Sequence, residues 1–334
     1  MRLLAIVLLP SLLAAQETPV FRSEASLALV RFHVVRKQTY VVDLKPEDIV
    51  LVEDGLPRRF TLFEGGQSAR RTVPVDFTLL FDTSGSVRGR ELLTPLVFKE
   101  SLLDGLERVR IAVYGFGKQV DRYTRPTRDF AQLQAAFSAI RKRGLPAETI
   151  ALHLPPGRKS DPYGATWLFE SIAATAADAE GGATRMLLVF SDGFGTTSAE
   201  PQDAAGICQE LGVPVYPVVL GHADLVAEAR MMPLTGKSPQ ATAYALKQIQ
   251  QKEETIEKFA SLGELTGGRS FDPPEITLAV MRQVLAGMVA QVQTEYVVGF
   301  VPERGGAGRQ HKLEIRLRSK DLGRVLGGTR TLVH

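Results

Sequence analysis

Cysteine is scarce in this sequence, and asparagine is missing from it. The chain has one cysteine, Cys208, and no asparagine. A lone cysteine cannot form an internal disulfide, and the residues around it predict a helix packed on a sheet, where the thiol acts as a small hydrophobic group. The lack of asparagine excludes N-linked glycosylation and Asn-Gly turns.

The chain also lacks an excess of charge of either sign. It has 40 Lys and Arg residues against 37 Asp and Glu residues, so the formal net charge is +3, and the two signs are interleaved along the sequence. Nucleic-acid-binding proteins usually carry a basic patch or stripe, so no nucleic acid partner is expected. A hydrophobic share of 44% is ordinary for a globular protein and argues against disorder.

Long hydrophobic runs are missing except at the start of the chain. Residues 1–15 contain Arg2, then a leucine-rich stretch, then Ala14 and Ala15, a pattern typical of a cleaved secretory signal peptide. The stretch is shorter than the roughly 20 residues that span a bilayer, although an uncleaved anchor is the alternative. No cysteine stands at the cleavage site to carry a lipid, and no later segment predicts a membrane span. We therefore expect a secreted or periplasmic protein.

From residue 73 onward, apolar strand patterns alternate with helical patterns. The predicted strands are residues 75–82, 109–116, 120–124, 185–192 and 213–220, with a weak one near 269–271. The predicted helices are residues 91–107, 130–143, 166–179, 203–211, 243–265 and 277–293. The strands are continuously apolar, as expected where helices cover both faces of a sheet. The pattern predicts an α/β fold with a doubly wound, mostly parallel open sheet.

Shorter strands of alternating polarity flank this region on both sides. They are predicted at residues 26–36, 40–44, 49–53 and 59–63, and again at 295–301, 312–318 and 330–333. Neither set can easily bury itself alone, so we predict that both pack into one small all-β module interrupted by the α/β domain. The predicted division is a signal peptide at 1–15, an N-terminal β module at 20–72, the α/β domain at 73–293 and a C-terminal β segment at 294–334.

Two stretches match no regular element. Residues 145–163 are rich in proline and glycine, and residues 222–240 contain Met231, Met232 and Pro233. Both are predicted to be loops near the rim of the sheet, where functional loops tend to lie.

Oxygen-bearing side chains stand at the predicted ends of this sheet. Asp82, Ser84 and Ser86 follow one apolar strand, Thr166 precedes a helix, and Asp192 closes another strand. Ligands of open α/β sheets bind at the carboxyl ends of the strands. Carboxylate and hydroxyl oxygens suit Mg²⁺, Mn²⁺ or Ca²⁺ and suit thiophilic metals poorly. The five side chains therefore predict a site for a hard divalent cation.

Each part of this set also has a purely structural interpretation. Asp-x-Ser-Gly-Ser alone is often a turn with a side-chain cap, Thr166 alone is more often a helix N-cap than a ligand, and Ser-Asp-Gly alone is commonly a β-turn. Their order along the chain and their places on the strand ends of one sheet favour the metal site.

Residues 75–87, 164–166 and 187–193 together resemble the metal-ion-dependent adhesion site of von Willebrand factor type A domains. Residues 21–65 and 296–333 resemble the ends of the secreted von Willebrand factor A-related proteins of acidobacteria. The resemblance implies a von Willebrand factor A or Rossmann-like sheet. It also implies a role in protein binding, with Mg²⁺ as the expected ion and Mn²⁺ or Ca²⁺ as alternatives.

The resemblance further implies a role for each site residue. Ser84, Ser86 and Thr166 would give hydroxyl oxygens directly to the metal. Asp82 would act mostly through water and by holding the serine loop, and Asp192 would bind directly or through water. All five positions carry the residue type that the family motif requires.

Three functions follow from these observations. The first is a binding protein whose metal bridges to an Asp or Glu of a protein partner, because an octahedral shell keeps a position that a partner's carboxylate can take. The second is a metal-dependent hydrolase, which needs a base within reach, and His153 and His222 lie in the predicted rim loops. The third is a scaffold with an empty site. The sequence contains no Gly-x-Ser-x-Gly motif, which is the commonest signature of a serine hydrolase. Partner identity and oligomeric state are not predicted.

Overall fold

The fold is seen in a computed structural model that describes most of the chain. The described residues are 28–37, 39–66, 74–84, 94–142, 144–150, 152, 166–178, 184–195, 199–232, 238–301 and 310–333. The predicted signal peptide at 1–15, Ser86, His153 and most of the predicted loop 145–163 lie outside these ranges.

The described residues form fifteen strands and seven α-helices. The strands are β1 (Ala28–Arg36), β2 (Thr39–Tyr40), β3 (Ile49–Glu53), β4 (Leu56–Arg58), β5 (Leu62–Gly65), β6 (Val75–Asp82), β7 (Val109–Phe116), β8 (Val120–Thr127), β9 (Glu148–Ile150), β10 (Thr184–Ser191), β11 (Val215–Val219), β12 (Tyr296–Phe300), β13 (Gln310–Leu317), β14 (Arg324–Gly327) and β15 (Thr329–Val333). The helices are α1 (Pro95–Phe98), which continues as a π-helical turn at Lys99–Leu103, α2 (Phe130–Lys142), α3 (Leu168–Ala177), α4 (Pro201–Leu211), α5 (His222–Met231), α6 (Pro239–Thr266) and α7 (Leu278–Thr294).

A six-stranded sheet in the order β11-β10-β6-β7-β8-β9 forms the centre of the α/β region. The pairs β11–β10, β10–β6 and β6–β7 are parallel, whereas β8 and β9 add on antiparallel. The predicted fold class, an α/β fold with a mostly parallel sheet, is confirmed.

Helices cover both faces of this sheet, which explains why its strands are continuously apolar. Neighbouring residues of β6 enter different cores: Leu79 packs with α1, α2 and α7 on one face, and Leu80 packs with α3, α4 and α6 on the other. Four phenylalanines pack ring against ring in the first core, and Phe81 stacks on Phe190 with ring centroids 4.9 Å apart. This pair joins β6 to β10 directly below the edge where the candidate site lies.

The segment 222–240 was wrongly predicted to be a loop throughout, because residues His222–Met231 form helix α5. Ala, Leu, Glu, Arg and Met favour helix, and these residues dominate the segment. Only Leu225 of this helix is buried. A helix with one buried residue leaves no apolar stripe in the sequence, so periodicity could not detect it.

Strands from the two ends of the chain pair with one another in two further sheets. One has the order β14-β1-β12-β5, with β2 paired to β1, and the other has the order β15-β13-β3-β4. In the first sheet Ala28 pairs with Phe300, and in the second Leu51 pairs with Ile315. A shared core lies between these strands, in which the ring of Tyr296 stacks on Phe32 with centroids 5.4 Å apart. The domain boundaries themselves stay a prediction.

The predicted strand at 40–44 is mostly irregular: only Thr39–Tyr40 pairs, with the end of β1. The three short strands β4, β9 and β14 have no counterpart among the predicted elements. In the part of the chain that is described, no helix is both long and apolar enough to cross a membrane.

A buried ion pair joins the flanking strands to the α/β region. Arg31 of β1 donates from Nη2 to Glu295 Oε2 at 3.0 Å and from Nη1 to the carbonyl oxygen of Arg185 at 2.7 Å. The two charged side chains are 10% and 3% exposed. Because Arg185 lies in β10 and Glu295 lies between α7 and β12, one guanidinium group connects both parts of the molecule.

We predict that Arg31→Ala lowers the free energy of unfolding by about 3–5 kcal/mol, because it removes the cation that compensates a buried carboxylate. Urea denaturation followed by circular dichroism measures the change. Arg282→Ala is the matched control, since Arg282 pairs with Glu100 on the surface, with side chains 51% and 43% exposed. Its expected cost is at most about 1 kcal/mol. Equal costs for the two variants would contradict the assigned role of Arg31.

Cys208 is fully buried in α4, as predicted, and burial raises the pKa of its thiol to about 12. Because the thiolate is the reactive form, we expect the folded protein to react with iodoacetamide at mildly alkaline pH far more slowly than the urea-unfolded chain does. Mass spectrometry of labelled protein measures both rates. Rapid, complete labelling of the folded protein would show that the thiol is accessible.

Candidate metal site

Asp82, the last residue of β6, is the most deeply buried of the described predicted ligands. Its side chain has no exposed surface. Its Oδ1 accepts a hydrogen bond from the backbone N–H of Ser84 at 2.8 Å, and its Oδ2 accepts one from the Ser191 hydroxyl at 2.7 Å. The carboxylate therefore holds the turn that follows β6 and ties it to the end of β10.

The pKa of Asp82 is raised above the usual aspartate value, first because burial removes water from the carboxylate. Hydrogen bonds from the Ser84 and Ser191 side chains and from the Ser84 backbone act in the opposite direction, and the negative charge of Asp192 adds to the increase. The charges of Asp82 and Asp192 are thus close enough to repel each other. The described groups that stabilise the Asp82 anion are neutral hydrogen-bond donors.

The end of β10 shapes the second part of the site. The Ser191 hydroxyl accepts a hydrogen bond from the N–H of Gly193 at 3.1 Å while it donates to Asp82. Asp192 Oδ1 accepts from the N–H of Phe194 at 3.2 Å. Gly193 has a φ of +79°, and a Cβ there would stand 3.1 Å from the Cα of Ile256 in α6. A glycine is needed at this position for both reasons, and the loop lies tightly against α6.

Thr166 reaches the same edge from a third segment. The N–H of the next residue, Trp167, donates to the carbonyl oxygen of Gly117 at 2.9 Å, just beyond β7. Leu168 packs beside Gly195, in the loop that follows Asp192. Thr166 is 4% exposed. Helix α3 begins at Leu168 with Trp167 at its N-cap, so Thr166 is not the cap residue.

The turn after β6 is also bonded to β7. Thr83 donates from its N–H to the carbonyl oxygen of Phe116 at 2.8 Å and from its hydroxyl to the same oxygen at 2.7 Å. Gly115 leaves room for this turn, because a Cβ at Gly115 would approach the Thr83 methyl group to 2.9 Å. The ends of β6, β7 and β10 are therefore locked together at one edge of the sheet.

The structure thus brings Asp82, Ser84 and Asp192 together, places Thr166 at the same edge, and gives no description of Ser86. Across the described ranges, no group of three or more His, Cys, Asp and Glu side chains is arranged to hold a metal. A metal here would draw on two carboxylates supplemented by hydroxyl groups. That donor set fits a hard cation such as Mg²⁺ and does not fit a metal that prefers imidazole or thiolate.

His222 lies at this edge but is engaged elsewhere. It is the first residue of α5, and its Nδ1 lies 2.6 Å from Asp272 Oδ2. The preceding strand is β11, at the border of the sheet, and Leu220 donates to the carbonyl oxygen of Ser191 at 2.9 Å. His222 is therefore near the β10 end, but its ring is directed to a carboxylate outside the predicted ligand set.

Two contributors to the site were not identified from the sequence. Ser191 has a hydroxyl beside Asp192, and that adjacency was the only available signal for its role in holding Asp82. Helix α6 contributes Ile256 against Gly193 and Lys252 above the ring of Phe194, with Nζ 5.2 Å from the ring centroid. Contacts between segments about sixty residues apart leave no local pattern in the sequence.

No protein-family model and no curated protein matches the chain. Among solved structures it is similar to proximal thread matrix protein 1 from the mussel byssus, at 12% identity and a TM-score of 0.39, over 69% of this chain and 48% of the other, so it spans about half of that protein. It is also similar to the conserved hypothetical protein BatB from Bacteroides thetaiotaomicron, at 13% identity and a TM-score of 0.40, over 65% and 99% of the two chains. A third similar structure is manganese-loaded TRAP protein from Plasmodium vivax, at 11% identity and a TM-score of 0.36, over 84% and 97%.

We predict that Ser191→Ala weakens the binding of Mg²⁺ or Mn²⁺ about 10- to 100-fold, as loss of a group that positions a ligand does at other metal sites. The substitution removes the donor to Asp82 Oδ2 and the acceptor of the Gly193 N–H. Isothermal titration of the folded variant measures the affinity. Ser261→Ala serves as control, because the Ser261 hydroxyl only donates to the Lys258 carbonyl oxygen within α6. Unchanged affinity in Ser191→Ala would remove Ser191 from the site.

Proposed function

We propose that this chain is a metal-dependent protein-binding protein. A divalent cation held by Asp82, Ser84, Ser86, Thr166 and Asp192 would bridge to an Asp or Glu side chain of a protein partner. The observation that carries the proposal is the fully buried Asp82 carboxylate beside the like charge of Asp192. Among the described groups, neutral hydrogen-bond donors stabilise the Asp82 anion, and the two carboxylates of Asp82 and Asp192 match the charge of one divalent cation.

The donor set also favours a role in protein binding over a role in catalysis. Two carboxylates balance the cation formally, and the hydroxyl ligands add no negative charge, so the bound ion keeps affinity for another anionic oxygen. A partner's carboxylate is such an oxygen, and it would form a charge-assisted contact at the exposed side of the site. Mg²⁺ is the ion we propose, with Mn²⁺ and Ca²⁺ as alternatives, in a secreted or periplasmic protein.

We propose no catalytic activity. A hydrolase needs a base directed at the reacting water, whereas the described candidate, His222, is directed at Asp272. The remaining candidate, His153, lies outside the described residues. The hydrolase alternative is tested by assaying cleavage of a phosphoester and of a peptide with the metal-loaded protein. Metal-dependent cleavage that His222→Ala or His153→Ala abolishes would replace the binding function.

We predict that Mg²⁺ or Mn²⁺, titrated to millimolar concentration, changes the fluorescence of Trp167, the one tryptophan of the chain, because Trp167 adjoins Thr166. Asp192→Ala should abolish the change, since it removes a charged ligand. Asp272→Ala is the control: Asp272 carries the same charge near the same edge but pairs with His222.

Direct metal analysis after equilibrium dialysis gives a second measurement of the same binding. If the wild-type protein holds no divalent cation at millimolar concentration, the α/β region is a scaffold with an empty site and the proposed function is wrong. If Asp272→Ala loses the metal and Asp192→Ala keeps it, the ligand set is misplaced.

A further inference from the structure

A lysine is held over an aromatic ring at the border of the candidate metal site. Phe194 follows Asp192 by two residues and is partly exposed, and the Nζ of Lys252 lies 5.2 Å from its ring centroid. The N–H of Phe194 donates to the carboxylate of Asp192. One short loop therefore carries a predicted metal ligand at one end and the platform for a cation at the other.

This arrangement is fixed by close backbone packing. Gly193 lies against Ile256, and Lys252 is one helical turn earlier in α6, on the same face. The lysine stem and the loop are thus parts of a single packed contact. A cation stacked on a ring keeps its outward N–H donors available to other groups, because the aromatic face contacts the cation without accepting a directional hydrogen bond.

Lys252 differs from Lys258 of the same helix in the group that its ammonium charge contacts. Lys258, later in α6, pairs with Glu200 at 2.9 Å. Within the described ranges, the Lys252 ammonium group lies over the Phe194 ring, and no carboxylate pairs with it. A positive charge beside a site that takes carboxylates is complementary to an acidic partner.

We propose that Lys252 is a second anchor for the protein partner, which presents two acidic side chains, one to the metal site and one to Lys252. The inference rests on the proposed function and narrows the partner to a segment with paired Asp or Glu residues. Phe194 acts as a positioning residue: its ring holds the Lys252 ammonium group in place beside the loop that carries Asp192.

The test uses immobilised synthetic peptides in a Gly/Ser background, one with a single Glu and others with two Glu residues separated by two, three or four positions. Binding of the full chain is measured by surface plasmon resonance with millimolar Mg²⁺ and again with EDTA. We expect the best two-acid peptide to bind about 2- to 5-fold more tightly than the one-acid peptide, the size typical of an exposed ion pair. Lys252→Gln should remove that difference, while one-acid binding should still require Mg²⁺.

Three further variants sharpen the result. Phe194→Leu should reduce the two-acid preference, because it removes the aromatic platform but keeps an apolar contact. Lys118→Gln is the matched control: Lys118 is an exposed lysine on the other side of Thr166, next to Gly117. It should leave the preference intact. Asp192→Ala should abolish Mg²⁺-dependent binding of every peptide.

The outcomes separate the two proposals. If one-acid binding requires Mg²⁺ and Asp192 but Lys252→Gln keeps the two-acid preference, the anchor role is overturned and the proposed function stands. If Lys118→Gln and Lys252→Gln lower the preference equally, general attraction to a basic rim explains the data and the anchor role is again overturned. If no peptide binds in a Mg²⁺-dependent manner, both proposals are wrong.

Discussion

The hydrogen bonds received by the buried carboxylate of Asp82 are the interaction on which the rest of the site depends. They come from the backbone of Ser84, on the turn after β6, and from the hydroxyl of Ser191, at the end of β10. The same hydroxyl accepts the N–H of Gly193 and so sets the course of the loop that carries Asp192. A charge without exposed surface therefore positions the residues around it, and its own position depends on the stacked pair Phe81–Phe190 below.

Helix α6 also restrains the loop that carries Asp192, at the rim of the sheet. Its contact with Gly193 prevents the Asp192 loop from moving toward the helix. The next residue of the loop, Phe194, is in contact with Lys252 of the same helix. Preorganised ligands lower the cost of ordering a site when an ion or a partner arrives. The geometry of the site thus depends on packing between segments that are far apart in the sequence. A single substitution in α6 or β10 can therefore change the position of the ligands.

Much of the α/β fold could be predicted because buried elements leave a strong apolar pattern in the sequence. Continuous apolar runs marked β6, β7, β10 and β11, and the oxygen-bearing residues at two of these strand ends marked the candidate site. Elements with little buried surface escaped prediction: α5 buries only Leu225, and β9 has three residues. The roles of Ser191 and Lys252 were not predictable, because they arise where segments far apart in sequence meet.

The pairing of Ala28 with Phe300 has a consequence for how the chain is made. Strand β1 emerges from the ribosome early, but its partner β12 is translated only after the whole α/β region. At about 5–20 residues per second the interval is tens of seconds, during which β1 lacks its β12 neighbour. The α/β region can complete its own sheet in that time. The central sheet can therefore be complete while β1 still lacks β12, so the flanking sheets close last.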